Sequence, residues 1–260
     1  MNGKQIEKEW KRLMKLEEKF INHNIRKKEK EWQNKLEKFV PEKLSDTLNA
    51  AFYKAFELIF EKGTGIIEKT YNKDSIEKEH MVLDYDIKMR GRRKEMRQLQ
   101  KTAKRNNLKN VAITTVEGIG LGALGVGLPD IVLFVGMMMK GIYESAAHYG
   151  IDYEETSEKV LILKMMAASM ATGEKWEVQN QEVNRLLEQK TLQFTEEDVK
   201  KQIETTAEVF AMDMLVMKFV QGLPIVGIVG GMTNPIYYNR VLDYVQLKYR
   251  KRYIMSLQAK

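Results

Sequence analysis

Apolar residues recur at three- and four-residue spacing along most of the chain, which predicts helices rather than strands. Ile6, Trp10, Leu13 and Phe20, then Trp32, Leu36 and Phe39, line one side of an amphipathic helix over residues 4–39, ended by Pro41. Such a helix docks its stripe on a core. Alternatively it lies in a membrane interface, where a Lys-rich face opposite Trp and Phe is at home. A second helix runs from about Pro41 to Glu61 on Leu44, Leu48, Ala51, Phe52, Ala55, Phe56, Ile59 and Phe60, and Gly63 and Gly65 are expected to stop it. Residues 66–110 are polar and increasingly basic. Further on, Gly150 is expected to close a helix and Asp152-Tyr-Glu-Glu155 to open the next as a capping box, with Gly173 as its end. Residues 174–190 read as a polar, acidic helix or loop, and Thr195-Glu-Glu-Asp198 as another helix start. Asn234-Pro235 places an N-cap before a proline at the first helical position, opening a last helix that carries Tyr237, Val241, Tyr244, Val245 and Tyr249.

Two stretches depart from this pattern. Gly118-Ile-Gly-Leu-Gly-Ala-Leu-Gly-Val-Gly-Leu-Pro-Asp130 opens an apolar run to Met139 in which Asp130 is the only charge. Gly222-Leu-Pro224 repeats Gly127-Leu-Pro129 and leads into Ile-Val-Gly-Ile-Val-Gly-Gly231, without a charge from Phe219 through Asn239. The first stretch has the length of a membrane span. Asp130 near its middle and the glycines and Pro129 that break helix continuity argue for two helices, 111–127 and 130–149, joined at Gly127-Leu-Pro129. Asp130 then caps the second of them. The two stretches supply the candidate apolar hairpin or pocket residues: Gly120, Gly122, Gly125, Gly127, Pro129 and Asp130, with Pro224, Gly227, Gly231 and Asn234. The expected fold is therefore all-α, a multi-helix bundle with two Gly/Pro-interrupted apolar hairpins at its centre. A basic amphipathic extension occupies residues 1–40 and a helical domain residues 41–260.

Charge sharpens this picture. The net charge is +7, and it is unevenly spread. Residues 1–150 carry 29 Lys/Arg against 21 Asp/Glu, residues 151–208 carry 7 against 13, and residues 209–260 carry 7 against 2. From Lys88 to Lys109 ten basic residues face the single acid Glu95. Lys88, Arg90, Arg92, Arg93, Lys94, Arg97, Lys101, Lys104 and Arg105 are the candidates from this run for binding anionic lipid or a partner. Lys248, Arg250, Lys251 and Arg252 form a second cluster after the second apolar stretch. A polybasic segment beside an apolar one attracts anionic headgroups at about 1 kcal/mol per Lys or Arg near the surface. Nucleic acid is the weaker partner for such a run, because no aromatic residues are interleaved for base stacking.

Candidate chemistry adds little. There is no cysteine, and His23, His80 and His148 stand far apart, so neither a metal site nor a cofactor is expected. Gly120-Leu-Gly-Ala-Leu-Gly125 spells a dinucleotide-binding fingerprint, but Pro129 and the helical chain downstream deny it the strand–helix context that motif needs. No nucleophile–base pair or phosphate loop is present. The charged N-terminus lacks an apolar signal region, so a cytoplasmic location is expected.

The Gly-rich run into Gly-Leu-Pro-Asp130, the helix ending His148-Tyr-Gly150 before Asp152-Tyr-Glu-Glu, and Leu223-Pro-Ile-Val-Gly with Gly231 and Asn234 together resemble the EcsC family of bacterial proteins over residues 45–255. That resemblance implies a place near an ABC-type exporter, beside which the namesake is encoded, and a link to secretion and competence. It carries no catalytic residue over to Asp130, Asn234 or any other position. The leading expectation is a non-enzymatic protein at the inner face of the cell membrane that binds anionic lipid or assists an ABC-type transporter. A helical ligand-binding or scaffolding protein without membrane contact is the alternative. An enzyme using Asp130 or Asn234 in a pocket is a third.

Overall fold

A computed structural model describes residues 3–26, 42–91, 93–104, 128–189, 193–220 and 235–258. Among them the chain forms ten α-helices and no strand: α1 (Gly3–Arg26), α2 (Glu42–Leu58), α3 (Thr64–Glu68), α4 (Lys73–Arg90), α5 (Arg93–Ala103), α6 (Leu128–His148), α7 (Thr156–Met170), α8 (Gly173–Glu188), α9 (Glu196–Val220) and α10 (Pro235–Gln258). The all-α expectation is met.

Two helices are apolar on most sides and consequently lie inside. In α7, Val160, Leu161, Ile162 and Leu163 are all buried, as are Met165, Met166, Ala168 and Met170. In α6, Val135, Met138, Met139, Ile142 and Ala146 are fully buried. The amphipathic helices then pack around these two. α2 lies against α9 and α6, with Phe52 and Phe56 each 5.7 Å from Phe210. α8 and α9 cover α7, while α10 contacts both α6 and α7. Burying each such Phe or Leu side chain contributes about 1.5–3 kcal/mol. The tyrosine stripe expected in the last helix is the core face of α10: Tyr244, Val245 and Tyr249 are fully buried and Tyr244 meets the Trp176 ring edge-on.

Several local expectations are corrected. Gly63 and Gly65 do not end the second helix: it passes through a π-helical turn, Ile59–Gly63, and continues as α3 to Glu68. Ile59 and Ile67 are both buried, so the apolar face carries on past the glycines and holds the chain helical. Asp152 does not open α7, which starts at Thr156; its carboxylate instead accepts the Glu154 backbone N–H at 2.9 Å and fixes a turn. Residues 173–188 are a helix throughout, α8, held by buried Trp176, Val183, Leu186 and Leu187. The Thr195 signal is a true reciprocal cap: the Asp198 N–H donates to Thr195 Oγ1 at 3.2 Å and the Thr195 N–H to Asp198 Oδ2 at 2.8 Å.

Glycine is required at two places. A Cβ on Gly141 of α6 would come within 2.6 Å of Leu242 and 2.7 Å of the Tyr238 hydroxyl, so this position lets α6 and α10 approach closely. Gly150 ends α6 with φ +67°, and a Cβ there would lie 2.2 Å from His80 Nε2. The His80 ring is held in place by Nδ1, 2.8 Å from the His148 carbonyl oxygen, which ties α4 to the end of α6. Gly150→Ala is therefore expected to cost about 2 kcal/mol, from the left-handed backbone and from displacing His80. A chemical-denaturation midpoint unchanged by this substitution would contradict the packing.

Candidate functional site

α4 and α5 carry the first basic run, and their local sequence explains why they form two helices. Asn72 caps α4 by accepting the Ser75 N–H at 2.9 Å, Asp74 sits in its first turn, and Lys88 and Arg90 lie in its last. Gly91 closes it in the left-handed conformation. Leu83 and Ile87 are buried on the side that packs against α6. On the other side Met81, Val82, Tyr85 and Met89 are exposed by 64, 62, 62 and 68%. At about 100° per residue these four fall within an arc of about 100°, opposite the core, with exposed Lys78 among them. Four large apolar side chains thus lie side by side facing solvent.

α5 is built the other way. Met96, Leu99 and Ala103 are buried, and Lys94, Arg97 and Lys101 stand exposed on the opposite side, with no ion pair to any described residue. The other members of the run are engaged. Lys88 pairs with Asp84, Arg90 with Asp86 at 3.4 Å and Lys104 with Asp243 at 3.2 Å. Arg93 turns toward Glu9 of α1, 3.6 Å away. Arg92 and Arg105 lie outside the described residues.

Three residues of the C-terminal cluster, Lys248, Arg250 and Lys251, face inward, while Arg252 stays partly exposed. Lys248 is fully buried, and its ammonium donates to Glu17 at 2.7 Å and to Asn184 at 2.8 Å. Lys251, 7% exposed, donates to the same carboxylate at 2.9 Å and to the same amide oxygen at 3.1 Å. Burial pulls the Lys248 ammonium down to about 8 in spite of Glu17. Burial also works against the Glu17 carboxylate, yet the two lysines outweigh it and hold the group below the usual range. Arg250 donates to Glu9 at 3.4 Å, and Arg252 pairs with Glu158. Lys248 and Lys251 are thereby removed from the residues that could meet a headgroup. Sequence reasoning missed their partners, although Glu9 and Glu17 share the helical spacing of Ile6 and Leu13.

Of the apolar hairpin candidates, Gly120, Gly122, Gly125 and Gly127, and Pro224, Gly227, Gly231 and Asn234, lie outside the described residues. Pro129 and Asp130 fall in the first turn of α6, close to the predicted start of that helix. Among the described residues no helix is long and apolar enough to cross a membrane, and no group of three or more His, Asp or Glu is placed to hold a metal ion.

These features define an all-α protein whose exposed apolar stripe, and a basic face without ion pairs among the described residues, sit on consecutive helices. The chain matches the family model of the EcsC protein family over residues 4–254, and it belongs to that family. The match takes in α1, which the resemblance over 45–255 had left out. No curated protein and no solved structure matches the chain.

Proposed function

We propose that this protein is a non-enzymatic, peripheral membrane-associated member of the EcsC family that docks on anionic lipid at the inner face of the cell membrane through α4 and α5. The observation that carries the proposal is the exposed Met81, Val82, Tyr85 and Met89 stripe, followed across Gly91 by the exposed Lys94, Arg97 and Lys101, which have no ion pair among the described residues. Apolar side chains and a Tyr enter the headgroup boundary, while the cations draw the helix pair to anionic lipid. An accessory role beside an ABC-type transporter is the cellular setting that suits this location.

The test is pelleting of the protein with vesicles of anionic and of neutral lipid at low and high salt. Binding to anionic vesicles that falls with salt is expected. Replacing Lys94, Arg97 and Lys101 by alanine together is expected to weaken it by about a hundredfold, at about 1 kcal/mol per cation. Met89→Asp is expected to weaken the part that survives high salt. No pelleting with anionic vesicles at low salt overturns the proposal. It would favour the second reading, a helical ligand-binding or scaffolding protein without membrane contact, which draws on the groove described next.

A further inference from the structure

A groove of about 390 Å³ runs between α1, α5 and α10, within the size range of small-molecule sites. Leu16, Phe20, Leu247 and Tyr149 give it an apolar wall, and Leu16 is 44% exposed, unusually so for a leucine on a docked helix. Gln100 and Arg250 line it as well, and each carries a donor out of reach of solvent. Gln100 Nε2 and Arg250 Nε are buried without a hydrogen-bond partner. Buried polar groups are normally satisfied, so two donors without a partner among the described residues, set behind the wall of one groove, call for an acceptor that reaches them when the Gln100 and Arg250 side chains turn toward it.

The surrounding charge says which kind of acceptor. Glu9, 2% exposed, is the carboxylate that faces Arg12 at 2.7 Å, Arg250 at 3.4 Å and Arg93 at 3.6 Å. Three guanidinium groups around one carboxylate leave an excess of two positive charges. Arg93 Nε and one of its terminal nitrogens are also buried and without a hydrogen-bond partner. The remaining charged pair in the lining, Lys104 with Asp243, cancels itself. Positive charge and free donors thus adjoin an apolar wall.

We infer that this groove binds an anionic amphiphile, a carboxylate or phosphate on a hydrocarbon chain. With those two side chains turned into the groove, the anionic head accepts from Arg250 and Gln100, and the chain lies along Leu16, Phe20 and Leu247. The groove shares α5 with the proposed membrane face but none of its docking residues, because neither the α4 stripe nor Lys94, Arg97 or Lys101 lines it.

Calorimetric titration of the full chain with sodium laurate and with dodecyl phosphate, both below their micellar concentrations, tests it. One of the two is expected to bind at one site per chain, at least about tenfold more tightly than the uncharged dodecyl maltoside. Which of them binds better identifies the head. Inorganic phosphate is expected not to compete. Leu16→Trp, which fills the groove from an exposed position, and Gln100→Leu, which removes one orphaned donor, are each expected to weaken binding by about tenfold. Met89→Asp on α4 is expected to leave it unchanged, which separates this site from the membrane surface. Gln100→Leu decides the matter should Leu16→Trp perturb the fold. Equal affinity for dodecyl maltoside, full competition by inorganic phosphate, unaltered binding in Gln100→Leu, or no binding of either anion would each overturn the inference.

Discussion

Glu17→Ala is expected to lower the stability of the protein by about 3–5 kcal/mol, a large share of the total for a domain of this kind. The carboxylate is 6% exposed and accepts from both Lys248 and Lys251, which are themselves buried. Removing it leaves two ammonium groups side by side, with the Asn184 oxygen as their shared acceptor. Breaking one partner of a buried pair costs far more than the pair was worth, because the remaining charge keeps its desolvation penalty. Lys248, already drawn down to about 8 by burial, would respond by shedding its proton near neutral pH, which limits the loss without abolishing it. The natural control is Glu18→Ala, one residue along the same helix but exposed, where a change within about 0.5 kcal/mol is expected. Urea denaturation followed by circular dichroism measures both. Equal midpoints for the two variants would mean that α1 is not held by this cluster.

Acidification is expected to destabilise the protein through His148. The imidazole is 8% exposed, and its Nδ1 is buried without a hydrogen-bond partner. Burial first, and the neighbouring His80 second, push it down to about 4 from an ordinary value near 6.5. The folded protein thus keeps this ring neutral where the unfolded chain protonates it. Between pH 6.5 and 4 the unfolded state binds more protons, so stability is full above 6.5, falls as the pH drops, and levels off below 4. The whole window is worth about 3 kcal/mol. Glu144 and Glu158 work in the opposite sense: burial raises both carboxyls, so the folded state holds their protons first and gains stability as the pH falls toward their ordinary range. The His148 contribution is isolated by comparison with His148→Gln, whose stability is expected to vary less between pH 6.5 and 4. Parallel curves for the two proteins would rule out this titration.

How much of this was legible in the sequence depends on whether the information was local. The core faces of α2 and α10 were readable, because Phe52, Phe56, Tyr244 and Tyr249 repeat at helical spacing among polar residues and only one side could be buried. The Thr195 cap was readable because both of its partners lie within four residues. α4 was harder. It has two apolar stripes, Ile76, Leu83 and Ile87 on one side and Met81, Tyr85 and Met89 on the other, and nothing in the helix itself says which meets α6. The C-terminal basic cluster was misleading for a related reason. Lys248 and Lys251 look like surface residues until Glu17 is placed beside them, and that carboxylate is 231 residues before Lys248 in the chain. Periodicity reports which side of a helix is apolar. It does not report a charge that is buried because its counterion is buried with it.

The Glu17–Lys248–Lys251 cluster also bears on the order of events during synthesis. α1 is locked by α10 across 231 residues of sequence, so it emerges from the ribosome long before that partner exists. Among the described residues α1 packs chiefly on α8 and α10, so until α10 is made its apolar side lacks one of its two main partners. A closure across nearly the full chain length is the slow kind of contact, and helices waiting for it are exposed to aggregation. Chains cut short before Lys248 would lose both ammonium partners of Glu17 and with them the tie that holds α1. Sensitivity of α1 to protease therefore reports whether α10 has formed and docked.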